Sequence, residues 1–246
     1  MSTRAEFLTR IRAQLARTPA LFPAAPSLRP ARPQEIADTI RRELSERWPA
    51  ALERFQRELE RVGGVLHRVA SVHDVPAVVG RLARERGVHG VITWAPSALG
   101  FDPAAGLAAQ NLTTHAMPVD VPDAERGRAL RETIATTSLG LTGVDAVLAE
   151  TGTMILRSGP GRPRSTSLLP ATHVAVFDRT ALVESLAQVG VLLEAWHASD
   201  APEASGAAIN FITGPSRTAD IELTLTRGVH GPKEVHAIFV ERPIRE

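Results

Sequence analysis

From Val65 to Val240 the sequence repeats one pattern, in which a short run of apolar residues gives way to a stretch with helical apolar spacing. Strands read at 65–69, 90–94, 146–149, 153–156, 173–177, 208–213 and 236–240. Helices read at 75–86, 123–135, 180–194 and from about 216 to 226. Strands that are apolar at nearly every position have no face to offer to water. Their alternation with helices predicts an α/β fold, a Rossmann-like parallel sheet with helices on both faces. At 246 residues the chain can bury about 70% of its unfolded surface, enough for a sizeable core.

Upstream of this pattern, Ile36, Ile40, Leu44, Leu52, Phe55, Leu59 and Val62 follow helical spacing, with Pro49 expected to break or kink the run after Trp48 and Gly63-Gly64 to stop it. Residues 3–17 read as an amphipathic helix, with Phe7, Leu8, Ile11 and Leu15 on one face and Arg4, Arg10, Arg12 and Arg17 around the rest. Pro19, Pro23, Pro26, Pro30 and Pro33 then forbid regular helix and favour an extended tether. The expected division is an N-terminal helical, Pro-rich arm over 1–33 and one domain over 34–246. Such an arm either lies on a membrane surface, acts as a transit peptide, or docks on a neighbouring subunit or its own domain; the last is the simplest reading.

Composition removes several chemistries. The chain has no cysteine, which excludes disulfides, Cys-ligated zinc, iron–sulfur clusters and thiol nucleophiles. Its 28 basic and 27 acidic side chains nearly cancel, against a dedicated nucleic-acid binder. No apolar run approaches the ~20 residues of a membrane span. The start, MSTRAEFLTR, lacks the apolar segment of a secretory signal, so the expected compartment is the cytoplasm. Eight histidines form no H-E-x-x-H, and no G-x-G-x-x-G follows a strand, so neither a metal site nor a dinucleotide or other cofactor is expected.

Ligands of open α/β sheets bind at the carboxyl ends of the strands, which directs attention to strand-end turns. In ITGPSRTADIELTL, residues 212–225, Gly214-Pro215 makes a turn after a strand, and Ser216 or Thr218 is a credible cap for the expected helix. Its free N–H groups and dipole, with Arg217, suit a small anion; plain capping is the simpler alternative. Arg217, Asp220, Thr224 and Arg227 would form one polar stripe, holding a structural ion pair or lining a cleft. Gly228, His230 and Gly231 follow in RGVHGP. The second cluster is Glu150-Thr151-Gly152-Thr153, where a carboxylate and two hydroxyls surround a glycine, so Glu150 is a candidate base or nucleophile. A tight hairpin with Glu150 exposed is the structural alternative. The two clusters are expected to converge on one cleft. The loop RSGPGRPRSTS, residues 157–167, either closes over an anionic ligand or is simply solvated. His173 and His236 read as hydrogen-bonded core groups.

GVDAVLAETGTMIL, LLPATHVAVF, ITGPSRTADIELTLTRGVHGPKEVHAIFVE and RVGGVLHRVAS together resemble the signature blocks of LUD-domain proteins of the LutC/YkgG type, the C component of lactate utilisation. The resemblance covers roughly residues 34–242. It implies a NagB/RpiA/CoA-transferase-like fold and a part in bacterial L-lactate utilisation, lactate to pyruvate, beside iron–sulfur partner subunits. Its blocks point to Glu150, Thr151, Gly152, Thr153, Gly214, Ser216, Arg217, Thr218, Asp220, Glu222, Arg227 and His230 without assigning a reaction. The expected function is a non-redox component that binds a small anionic metabolite or bridges those partners. A free-standing enzyme on a sugar phosphate, acyl-CoA or carboxylate, with Glu150 as base or nucleophile, is the alternative.

Overall fold

Helix α1 (Arg4–Arg17) is followed in the chain by α2 (Pro33–Arg61), β1 (Val65–Val69), α3 (Val75–Glu85), β2 (Gly90–Thr93), α4 (Pro96–Leu99), α5 (Ala104–Ala108), β3 (Thr113–Ala116), α6 (Ala124–Thr136) and β4 (Leu139–Gly143). Then come β5 (Ala146–Leu148), β6 (Thr153–Arg157), α7 (Ser165–Leu168), β7 (Thr172–Asp178), β8 (Leu182–Val183), α8 (Leu186–His197), β9 (Ile209–Ile212), β10 (Arg217–Ala219), β11 (Leu225–Arg227) and β12 (Glu234–Val240). The structure is a computed structural model that describes residues 3–17, 30–120, 123–198, 208–219 and 225–244. Its contacts divide the chain between Arg32 and Pro33. In the first unit, α1 has its described side chains exposed apart from a half-buried Leu8.

In the second unit, six parallel strands form one sheet in the order β1-β12-β7-β4-β2-β3. The alternation of side chains along a strand sends Ala175 and Phe177 of β7 and Ala237 and Phe239 of β12 to one face. Val174, Val176, Ile238 and Val240 go to the other, against Val75, Val79, Leu82 and Ala83 of α3 and Leu107 of α5. Both faces are covered, which is why these strands read as unbroken apolar runs. The first face packs on α2, α8 and a second sheet, β8-β5-β6-β9, in which β6 runs antiparallel to both β5 and β9. Among the described residues no helix is long and apolar enough to cross a membrane.

Several expectations change. Pro49 lies inside an uninterrupted α2. An internal proline costs about 3 kcal/mol, but Leu52, Phe55 and Leu59 are each at most 1% exposed, and burial of such a side chain returns about 1.5–3 kcal/mol. The helix expected over 180–194 starts only at Leu186, because residues 179–181 make a 3-10 turn and Leu182–Val183 pairs with β5. Ser185 caps α8, accepting from Gln188 N at 3.4 Å. The strands β3 and β4 have no counterpart in the sequence reading. The helix expected from about 216 to 226 is absent from the described residues, where β10 and β11 form an antiparallel hairpin instead.

Between α3 and the sheet lies a polar network. His67 Nε2 and His236 Nδ1 are 3.0 Å apart with the rings stacked, and Arg81 Nη2 lies 3.3 Å from His67 Nδ1. Arg86 Nε donates to Glu234 Oε2 at 2.8 Å, and His236 Nε2 lies 3.3 Å from the same oxygen. Burial, with His236 and Arg81 beside it, holds His67 down to about 4. Burial likewise lowers His236, although Glu234 opposes it. His173, wholly buried beside Thr142 Oγ1 at 2.8 Å, is held down to about 3. These imidazoles are neutral in the fold and take up protons more readily when unfolded. The stability they contribute is complete above about pH 6.5 and is lost as pH falls from 6.5 toward 4. Melting temperature should therefore fall through that window, and His67→Gln should make the fall shallower. An unchanged slope in the variant would contradict this account.

Candidate functional site

The two clusters picked out in the sequence do meet, but not along the edge of the parallel sheet. Antiparallel pairing of β6 with β9 sets Met154 opposite Ile212, so the residues just outside that pair come together. Thr153 Oγ1 lies 2.7 Å from Thr151 Oγ1 and 2.7 Å from Thr213 Oγ1. Both turns press on the carboxyl end of α2. Gly152 has φ +66°, and a Cβ there would sit 2.3 Å from Leu59 N. Gly214 has φ +104°, and its Cβ would sit 2.8 Å from Val62 Cγ2. Arg217 Nη2 donates to Val62 O, placing a cation where α2 exposes unpaired carbonyls and the negative end of its dipole.

These contacts correct the expected anion turn. With β10 at Arg217–Ala219 there is no helix N-terminus at Ser216, and Arg217 is engaged with α2. Ser216 N donates to Pro232 O at 2.9 Å, and its Oγ accepts from His230 N at 3.4 Å, so these residues brace the hairpin. Asp220, Glu222 and Thr224 lie outside the described residues, as do the side chains of Thr218 and Arg227. Glu150 is exposed and accepts from Leu186 N at 2.9 Å, which puts its carboxylate at the positive end of α8. What unites the cluster is the docking of α2 and α8.

A cavity of about 350 Å³ opens elsewhere, at the carboxyl ends of β2, β4 and β7, where a parallel sheet presents its ligand sites. Trp94 follows β2, Gly143 ends β4, Phe177 and Asp178 end β7, and Arg41 reaches in from α2. Arg157, at the end of β6, and Arg162, from the 157–167 loop, complete its charged wall around Asp145. Asp145 Oδ2 accepts from Arg157 N at 2.7 Å, and Oδ1 accepts from Arg157 Nε at 2.8 Å and Arg162 Nη1 at 3.2 Å. The Arg157 guanidinium also lies 4.4 Å over the Trp196 ring, a cation–π contact. Asp178 accepts from Thr180 N, Thr180 Oγ1 and Ile244 N at 2.8, 2.6 and 2.6 Å.

Three guanidinium groups thus line the cavity beside two carboxylates that each already accept three hydrogen bonds, and Arg41 also donates to Asp38 at 3.1 Å. The terminal amino groups of Arg157 have no protein acceptor among the described residues. The fork is oriented from two sides and open on the third, a geometry suited to a carboxylate or phosphate. Trp94 Nε1, on the same cavity wall, is buried without a hydrogen-bond partner among the described residues. The loop that supplies Arg162 is pinned, since Gly161 O accepts from Ala95 N at 2.7 Å and Gly161 N donates to Pro118 O at 3.1 Å. Among the described residues no group of three His, Asp or Glu could hold a metal ion.

The model of the LUD domain matches residues 52–240, more than half of the chain and every strand of the two sheets. The chain belongs to the LUD domain family. It is 37% identical over 170 residues to lactate utilization protein C of Halalkalibacterium halodurans, covering 69% of this chain and 70% of that one. Over 134 residues it is 34% identical to lactate utilization protein C of Bacillus subtilis, and over 125 residues 38% identical to that of Anoxybacillus flavithermus. These two matches span 55% and 54% of the relatives' lengths and 54% and 50% of this chain. The crystal structure of a DUF162 family protein from Deinococcus radiodurans superposes with a TM-score of 0.53 at 18% identity, covering 78% of this chain and 98% of that one. That likeness shows a shared fold.

None of Glu150, Thr151, Gly152, Thr153, Gly214, Ser216, Arg217 or His230 lines the cavity of this LUD domain. Sequence reading passed over Asp145, Arg157 and Asp178, although Asp145 stands within GVDAVL and Arg157 and Arg162 within the loop it noted. The usable signal was positional: each follows the end of an apolar run. If the 150–153 turn is a seat for α2, Gly152→Ala should destabilise the domain by about 3 kcal/mol, from left-handed strain and the displaced Leu59 backbone. In a domain of this size that lowers the melting temperature by roughly 6–12 °C. A variant that melts like the parent would remove the structural role.

Proposed function

We propose that this LUD domain serves lactate utilisation as a component without redox centres of its own, holding a small anionic metabolite in the cavity at the ends of β2, β4 and β7. The similarity to lactate utilization protein C from three bacteria supports the process. Oxidation of lactate to pyruvate releases two electrons and two protons. A chain without cysteine offers no thiolate to a cluster that would take the electrons. The reading therefore assigns electron transfer to iron–sulfur partner subunits and metabolite binding, or the bridging of those partners, to this chain.

The observation that carries the binding role is the open fork of Arg157, buttressed by Asp145 and Trp196 on the wall of a cavity whose volume lies within the range of ligand sites. A carboxylate meeting Arg157 would keep a second, charge-assisted contact within reach at Arg162 or Arg41. Catalysis by Glu150 draws no support from this geometry, because its carboxylate faces the start of α8.

The test is a thermal-shift screen with L-lactate, pyruvate, a sugar phosphate and an acyl-CoA, followed by calorimetry on the binder. A ligand at 100 times its Kd should add about 2.7 kcal/mol of stability. Arg157→Lys keeps a cation against Asp145 and loses the fork, so it should weaken binding by about 10- to 100-fold while the empty domain melts nearly as before. Binding that is indifferent to Arg157→Lys, or no binding of any of the four, would overturn the reading.

A further inference from the structure

The N-terminal unit concentrates positive charge that the rest of the chain lacks. Residues 1–32 hold six of the 28 basic and one of the 27 acidic side chains, a net of +5. That leaves 22 basic and 26 acidic side chains, a net of −4, for residues 33–246. The arm's one acidic side chain, Glu6, is used in a capping box: its Oε2 accepts from Thr3 N at 2.8 Å while Thr3 Oγ1 accepts from Glu6 N at 3.3 Å. The helix start is therefore fixed locally, without help from packing.

Along α1, Phe7 is 54% and Ile11 41% exposed, with Leu8 half-buried beside them. At 100° per residue these three fall within an arc of about 100°. Exposed Arg4 falls within the arc on the first turn of the helix, exposed Arg12 borders the arc on one side and exposed Arg10 lies beyond it on the other, with Glu6 on the far face. An apolar arc with cations on its first turn and along its borders, and with the lone carboxylate turned away, matches a helix lying in a lipid interface. The charge pattern also indicates which lipid: the +5 arm complements an anionic surface, and the −4 of residues 33–246 leaves the arm as the cationic segment that such a surface attracts.

We infer that α1 binds the surface of an anionic lipid bilayer, seating Phe7, Leu8 and Ile11 at the level of the headgroups with Arg10 and Arg12 on lipid phosphates. Long arginine side chains can bury their stems and keep their charge in the headgroup layer. The attachment is peripheral and reversible, because so short an apolar face and a few charges fall well short of a span. This inference is independent of the ligand in the cavity.

The experiment is flotation of the full chain with vesicles of phosphatidylcholine alone and with about one-third phosphatidylglycerol, at low and at molar salt. Binding is expected to the anionic vesicles only, with release at molar salt, where the screening length falls to about 3 Å. The pairs Phe7→Ser with Ile11→Ser, and Arg10→Glu with Arg12→Glu, should each weaken partitioning by about tenfold or more. Neither should move the melting temperature of the 33–246 unit. No binding to either vesicle, or binding that survives both pairs of changes, overturns the inference. So does a chain that is dimeric without lipid and becomes monomeric with Phe7→Ser and Ile11→Ser, since the apolar arc would then belong to a second copy.

Discussion

The apolar stripe of α2 is the constraint on which the second unit depends. Leu44, Leu52, Phe55 and Leu59 fill the space between the parallel sheet and the smaller mixed sheet, none more than 2% exposed. Phe55 meets Phe177 edge-on at 5.4 Å, Phe177 tilts against Phe239 at 5.6 Å, and Trp48 stacks on Phe239 at 5.4 Å. This aromatic row crosses from α2 to the adjacent strands β7 and β12 of the parallel sheet. Removing such a ring typically costs about 3–5 kcal/mol, so the row of rings together outweighs the ~3 kcal/mol cost of Pro49 in the same helix. The carboxyl end of α2 must then be received somewhere, and the turns at 150–153 and 213–217 receive it. Backbone that approaches this closely has no room for a Cβ at residue 152.

The same arrangement makes the cavity. Holding the mixed sheet against one face of the parallel sheet brings the end of β6, with Arg157, to the carboxyl ends of β4 and β7. Asp145, in the tight connection from β4 to β5, is only 10% exposed at its side chain, so its charge requires the paired arginines. Satisfying Asp145 fixes the orientation of Arg157 and leaves its outer amino groups for a ligand. The polar wall is thus a consequence of how two sheets are joined, and the scaffold and the site share α2 through Arg41.

The parts of the fold that were legible from sequence are those where one physical signal dominates. β7 and β12 are buried on both faces and read as apolar runs, while α3 shows a clear apolar stripe. β4 escaped notice because LGLTG achieves burial with small residues: a Cβ on Gly140 would lie 2.1 Å from Thr166 O, so close packing takes the place of bulk. The segment after Ser216 has helical spacing, yet Arg217 is drawn into a hairpin by the carbonyl of Val62, a long-range partner that periodicity cannot reveal. For the same reason the turn residues were found but their role was not. The spacing of Glu150 to Thr153 is the same for a catalytic turn and for a helix seat, and only the position of Leu59 distinguishes them. Arg157, Arg162 and Asp145 are distant from Asp178 in sequence and share one wall because of strand order.

The central claim is that anion binding belongs to the wall of Arg157, Arg162 and Asp145, while the 150–153 and 213–217 turns are scaffold. A crystal structure of the domain soaked with the anion that stabilises it most tests this directly. The account predicts ligand density in the cavity, with an anionic oxygen within hydrogen-bonding distance of the Arg157 amino groups and Gly152 still against Leu59. Density seated instead between Glu150, Thr153 and Arg217 would contradict it.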